Sequence, residues 1–253
     1  MSVSLEEIEI YCNKLLSSDS FKDYCPNGLQ VAGANKISKI VTGVTACQQL
    51  LDSAVSVGAD LILTHHGYFW RGEDQRVVSI KKNRLKTLLV NDISLLAYHL
   101  PLDAHAIYGN NVQLAKLMGW QVTSGMDAPI GESIVLLGEL QQAMSAAELA
   151  CQIGQKLNRE PLYIEGHNRP IKKIAFCTGA AQSYIEQVAS FGVDAFISGE
   201  ISEQTVHLAR ELGINYFAAG HHATESFGVQ ALGEHLAEKY DLEHQFIDVP
   251  NPV

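Results

Sequence analysis

The chain repeats itself, and the repeat restricts the fold more than any other feature. Ile37 to His66 (ISKIVTGVTACQQLLDSAVSVGADLILTHH) lies without a gap on Ile171 to Glu200 (IKKIAFCTGAAQSYIEQVASFGVDAFISGE). Ile37, Lys39, Ile40, Ala46, Gln48, Ser56, Gly58 and Asp60 recur as identities, each 134 residues on (171 − 37 = 134). Typical residue frequencies would give roughly two matches over such a span. Each copy reads as strand, turn, helix, a glycine at the helix end, and a second strand. In the first copy the helix is Gln48 to Val57, and Leu61-Ile62-Leu63 is the unbroken apolar run of a parallel strand covered on both faces. A second helix and third strand follow in each half: Asn83 to Asn91 and Ser94 to Tyr98, then Gln204 to Leu212 and Asn215 to Ala219. This predicts an α/β protein of two duplicated βαβαβ halves, with mainly parallel sheets and right-handed crossovers.

Outside the repeat, Ser4 with Glu7 is a capping box that opens a first helix with Leu5, Ile8, Cys12, Leu15 and Leu16 on one face. Cys25-Pro26-Asn27-Gly28 reads as a loop entering a short strand. Between the halves, Ser133 to Leu140 and Leu162 to Glu165 read as strands, and Ser145 with Glu148 caps a helix through Lys156. The expected division is a first half over 1–124, a linking α+β segment over 125–168, and a second half over 169–253.

A net charge of −10 disfavours a nucleic-acid or anionic-membrane surface, and the run Lys81, Lys82, Arg84, Lys86 fits a solvated helix face. Five cysteines without CxxC spacing, no secretory leader and no apolar run of membrane length predict a reduced, cytoplasmic protein. There is no P-loop, GxGxxG or GxSxG motif.

In open parallel sheets, ligands gather beyond the carboxyl ends of the strands. Three such ends carry six of the ten histidines: Thr64-His65-His66-Gly67, then His99 to His105, then Gly220-His221-His222-Ala223-Thr224-Glu225. His221 and Glu225 are four apart at a helix start and project together, whereas His222 lies about 100° round the helix. His65 and His66 would face opposite ways on a regular strand, so both serve only if the strand ends there and splays them. Asp103 adds a hard oxygen. Five ligands exceed the three of an open catalytic zinc, so His65, His66, Asp103, His221 and Glu225 are expected to hold two bridged divalent ions. The donor set suits zinc, iron, manganese, cobalt or nickel.

Together the motifs PNGLQV, GVTA, THHGYFW, HLPLDAH, GNN, SGEISEQT and AAGHHATE resemble the NIF-three-like family, whose bacterial members are often labelled type-two homologues of GTP cyclohydrolase I. The resemblance spans Tyr24 to Pro252 and implies a dinuclear metal site on the same five residues. It also implies a ring-shaped homohexamer with its metal sites facing an internal cavity.

Around these ligands, His99 and His105 are either proton-transferring or orienting groups, or plain loop hydrogen-bonders. Glu200 stands where His66 stands in the other copy; it is either a general acid/base or a holder of backbone amides. Tyr68, Phe69 and Trp70 either line a pocket for a flat ring or pack in the core. Asn27 and Asn110-Asn111 either border the cleft or serve as turn residues. Two functions follow. One is a metal-dependent hydrolase acting on a nucleotide or another heterocyclic or phosphoester small molecule. The other is a non-catalytic, metal-bearing assembly or adaptor protein.

Overall fold

The computed structural model describes residues 2–253 and divides into two compact units. The first runs to Leu102 and takes in Gly228–Val249; the second comprises Asp103–Phe227 and Pro250–Val253.

In the first unit, strands Lys39–Thr45, Leu61–His66 and Ser94–Ala97 are mutually parallel neighbours. Gly28–Val31 closes one edge antiparallel, and Glu243–Phe246 closes the other parallel. Alternate side chains feed opposite faces: Leu61 and Leu63 join the core of Leu5, Ile8 and Leu232, while Ile62 joins that of Leu50, Leu51 and Leu88. The second unit repeats this with Ile171–Phe176, Ala195–Ser198 and Asn215–Ala218 in parallel and Leu162–Ile164 antiparallel at the edge.

The duplication holds at the level of single hydrogen bonds. Ile40 pairs with Leu61 as Ile174 pairs with Ala195, the same offset on both strands. Asp60 Oδ2 accepts the amides of Ser38 (2.7 Å) and Lys39 (3.0 Å). Asp194 Oδ2 accepts those of Lys172 (3.0 Å) and Lys173 (2.9 Å). A recurring aspartate therefore pins the start of the first strand to the start of the second in each unit. Gly58 and Gly192 take the left-handed conformation that ends each helix (φ 70° and 65°).

The repeat also reaches further than the identities reveal. Gly28 opposes Ala97, and Leu162, at the same offset of 134 (162 − 28 = 134), opposes Ala218. GLQV and LYIE share no residue at matched positions, because an edge strand specifies only backbone pairing and an apolar side.

Two boundaries differ from expectation. The segment 125–168 does not form a separate linker: Leu136–Met144 runs antiparallel beside Ile171–Phe176, and Leu162–Ile164 beside Asn215–Ala218. Both strands bury apolar residues in the second unit's sheet. The chain beyond Gly228 belongs to the first unit, because Val229, Leu232 and Leu236 of the helix Ser226–Tyr240 pack among Leu5, Ile8 and Leu96. Two smaller shifts accompany these. The basic helix begins at Ser79 rather than Asn83, and Lys81 is largely covered by an ion pair with Glu73 (3.2 Å) instead of lying on a solvated face. No helix among the described residues is long and apolar enough to cross a membrane.

Candidate metal centre

Each unit gathers side chains that could hold a metal ion at the carboxyl ends of its parallel strands. In the first unit, the strand Leu61–His66 delivers His65, which is fully buried, and His66. The rings do not point to opposite faces; their centroids lie 4.5 Å apart at 45°. Gly67 follows where a side chain does not fit, since a Cβ there would meet Gln30 Oε1 at 2.1 Å and Ala97 Cβ at 2.6 Å. Phe69 follows in the left-handed region (φ 65°), unusual for an aromatic residue, and the reversal brings Trp70 back to within 5.9 Å of His66 and 5.0 Å of His99 between ring centroids. Of the three aromatics, Tyr68 is core, its hydroxyl donating to Ala46 O, while Trp70 stands against the histidines.

The Nδ1 of each histidine already has a partner: Tyr98 O for His65 (2.9 Å), Thr45 Oγ1 for His66 (3.1 Å) and Asp23 Oδ1 for His99 (2.7 Å). Nε2 is therefore the atom each ring presents. One donor atom from each of His65, His66 and His99 falls within 4.8 Å of the others.

Asp23 escaped the sequence reading. Its Oδ2 accepts from Leu100 N and Asn27 Nδ2 (both 2.9 Å), and Asn27 Oδ1 accepts from His99 N (2.7 Å), so Asn27 ties aspartate to histidine rather than merely turning the chain. Burial raises the pKa of this carboxyl, but the bonds from His99, Asn27 and Tyr24 N outweigh it and hold the group at about 2. No motif announces Asp23, since its partner lies 76 residues away. The nearby Cys25 is pushed up to about 12 by burial and by the charge of Asp23, and so remains a thiol.

In the second unit, buried Asp103 is gripped by the start of the helix Asn110–Met118. Asn110 Nδ2 donates to its Oδ1 (2.8 Å), and Asn111 Nδ2 to its carbonyl (3.2 Å). Asn111 Oδ1 also accepts from Thr178 N (2.8 Å), so the pair clamps the ligand candidate instead of serving only as turn residues. His221 lies one turn before Glu225, with Nε2 3.1 Å from Glu225 Oε2. Its Nδ1 contacts Glu200 Oε1 at 2.6 Å. Burial lowers the pKa of His221, yet these two carboxylates overcome it and raise it to about 9. Glu200 therefore acts on the imidazole, not on backbone amides. His105 Nδ1 accepts from the amides of Ile107 (3.3 Å) and Tyr108 (3.0 Å), the loop-bonding role.

A glycine leaves room for the acid. Gly179 (φ 66°) sits where a Cβ would lie 2.1 Å from Glu225 Oε1 and 3.3 Å from His221 Nε2. Imidazole and buried carboxylate donors, oriented by hydrogen bonds from behind and cradled by a glycine, fit a first-row divalent ion.

The profile of the family described as Duf34/NIF3 (NGG1p interacting factor 3) matches residues 3–252. A Pseudomonas aeruginosa protein named GTP cyclohydrolase 1 type 2 homolog is 54% identical over 252 residues, covering 100% of both chains. One of the same name from Escherichia coli K12 is 52% identical over 97% of this chain and 98% of its own. Among solved structures, protein ybgI, described as of unknown function, superposes with a TM-score of 0.95 at 51% identity, covering 99% of this chain and 100% of that one. A Thermus thermophilus protein gives 0.90 at 31% identity with the same coverage. With its duplicated α/β architecture and its histidine-bearing strand ends, the chain belongs to the DUF34/NIF3 family.

Proposed function

We propose that this protein is a dinuclear metal-dependent hydrolase whose two divalent ions take His65, His66, Asp103, His221 and Glu225 as ligands. The observation that carries the reading is the second unit's donor set: a buried carboxylate and an imidazole at 3.1 Å, with Gly179 leaving the space they need. Ions of this kind activate water near neutral pH and polarise carbon–nitrogen or phosphoester centres.

The chain's own residues supply the rest. Glu200 fixes the ring of His221 through Oε1, and its side chain is still 32% exposed, so it is the group we assign to proton transfer. His99 and His105 are the other residues we assign to proton transfer, His105 with its Nδ1 held by the amides of its own loop. Trp70 offers a face for a flat ring, which suits a nucleotide or another heterocyclic phosphate and agrees with the cyclohydrolase name of the bacterial relatives. The five free thiols suit a reducing cytoplasm.

The test is a screen of GTP, other nucleotides and simple phosphoesters against protein loaded in turn with zinc, manganese, iron, cobalt and nickel, beside Glu225→Ala. Turnover that vanishes in the variant supports the reading; no turnover in any metal form refutes it.

A further inference from the structure

The first unit has a cavity of about 330 Å³ between the loop after Gly67 and the start of the helix Ser79–Val90. Its size is that of a small-molecule pocket, and Tyr68, Val78 and Ile80 give it apolar walls. Three cations line it, and two are already paired. Arg76 makes a forked pair with Asp74, Nε to Oδ1 at 3.1 Å and Nη2 to Oδ2 at 2.7 Å. Lys81 Nζ lies 3.2 Å from Glu73 Oε1 and donates to Asp74 O at 3.0 Å. Glu73 Oε2 in turn accepts from Trp70 N (3.0 Å), so both acids are committed. The third cation is Arg84. Its Nε is buried and has no acceptor among the described residues. The Tyr68 ring, its centroid 6.0 Å from Cζ, attracts the charge but gives that N–H no acceptor. Leaving a buried donor of a charged group unmatched costs more than leaving a neutral one. The helix end points the same way: Val78 at its N-cap offers no side-chain cap, and its first turn carries no acid.

We propose that this cavity binds a small organic monocarboxylate, aryl or branched-alkyl, with its carboxylate on Arg84 and its apolar body against Val78 and Ile80. Three cations and two acids leave one positive charge on the walls (3 − 2 = 1), which balances a monoanion. A phosphate dianion would bring a charge in excess and face Glu73 and Asp74 with it. A carboxylate matches the guanidinium fork in two parallel hydrogen bonds and supplies Nε with the acceptor it lacks. Ile80 is 63% exposed and Val78 51%, apolar surface that the hydrocarbon part of such a ligand would cover. The whole chain carries −10, so the attraction for an anion is local to Arg84 rather than a property of the surface at large. The site is independent of the metal reading, since none of its residues is a candidate ligand.

Calorimetric titration of the full chain with benzoate tests this. The wild type should take one equivalent at millimolar concentration. Benzyl alcohol keeps the ring without the charge, and inorganic phosphate keeps the charge without the ring; each should bind at least about 10-fold more weakly. Arg84→Gln should weaken benzoate about 10- to 100-fold, and Ile80→Ser about 3-fold. Lys82→Gln, on the same helix but outside the cavity, should bind as wild type. Arg84→Lys keeps the charge and loses the fork, so it should still weaken binding about 5-fold or more; it decides the matter should Arg84→Gln fail to fold. No benzoate binding by the wild type, or wild-type affinity in either Arg84 variant, overturns the proposal. Phosphate binding tighter than benzoate overturns it too. Benzoate binding that survives Arg84→Gln but is lost in Glu225→Ala would put the carboxylate on the metal centre instead, and would equally overturn it.

Discussion

Gly179→Ala separates backbone strain from damage to the metal centre, because the chain contains its own control. Gly192 has nearly the same backbone conformation as Gly179, φ 65° against 66°, yet a Cβ there meets nothing within 4 Å. Gly192→Ala thus measures only the cost of a left-handed alanine, about 1 kcal/mol, or about 2–4 °C in Tm for a chain of this size. Gly179→Ala carries the same cost and adds a methyl 2.1 Å from Glu225 Oε1, so the carboxylate must retreat by about 1 Å to reach even a tight 3.0 Å contact. The end of a glutamate moves easily in isolation, but this one is buried and 3.1 Å from His221 Nε2, so the retreat breaks that arrangement. A ligand displaced by 1 Å is well outside the tolerance of a metal site, about 0.5 Å. Melting in chelator, followed by zinc titration against a chromophoric competitor, reads both effects. Gly192→Ala should melt slightly lower and bind zinc as wild type; Gly179→Ala should melt lower still and bind at least 10-fold more weakly. Equal zinc affinity in the two variants would refute the cradle and, with it, the assignment of Glu225 as a ligand.

Asp23→Asn should alter the acid limb of stability. The folded carboxyl titrates at about 2 against an ordinary 3.8, so its contribution is complete above pH 3.8 and disappears as pH falls through 2. The wild-type advantage in urea midpoint, worth about 2 kcal/mol at pH 5, should close by pH 2; a gap independent of pH would contradict this. Metal-free His221 shows the opposite sign: its pKa of about 9 against 6.5 stabilises the fold fully below pH 6.5 and is lost as pH rises through 9. Metal uptake at pH 7 must displace that proton, so calorimetry in buffers of different ionisation enthalpy should show about one proton released from His221 per chain. Asp60→Ala and Asp194→Ala each strip two strand-start amides of their acceptor and should cost similar amounts, about 1–3 kcal/mol, in chemical denaturation. A neutral result for one of them would break the equivalence of the two units.

What the sequence discloses and what it hides follow one physical rule. Residues whose identity is dictated locally can be read: Gly58 and Gly192 because only glycine ends a helix in this way without strain, Asp60 and Asp194 because a short acid must cap two adjacent amides, and the apolar run Leu61–Leu63 because both faces are covered. Residues chosen by a distant partner cannot. Asp23 is an ordinary loop acid until the fold brings it to His99, and the edge strands Gly28–Val31 and Leu162–Ile164 diverge because backbone pairing tolerates nearly any side chain. The candidate ligands fall between these cases. His221 and Glu225 are legible as a pair because one helical turn joins them, but the way His65 and His66 present their rings is set by Tyr98 O and Thr45 Oγ1, partners remote in sequence. Function is written mostly in the second class of residue. The supports behind the ligands, Asp23, Thr45, Glu200 and Asn110, fix which nitrogen or oxygen each ligand presents, and they lie 7 to 76 residues away from the groups they orient. A duplicated fold gives two sets of equivalent strand ends for such supports to act on. The two copies have filled them differently, with His66 in one where Glu200 stands in the other, so that one copy offers an imidazole as a candidate ligand while the other steadies the imidazole of its neighbour His221.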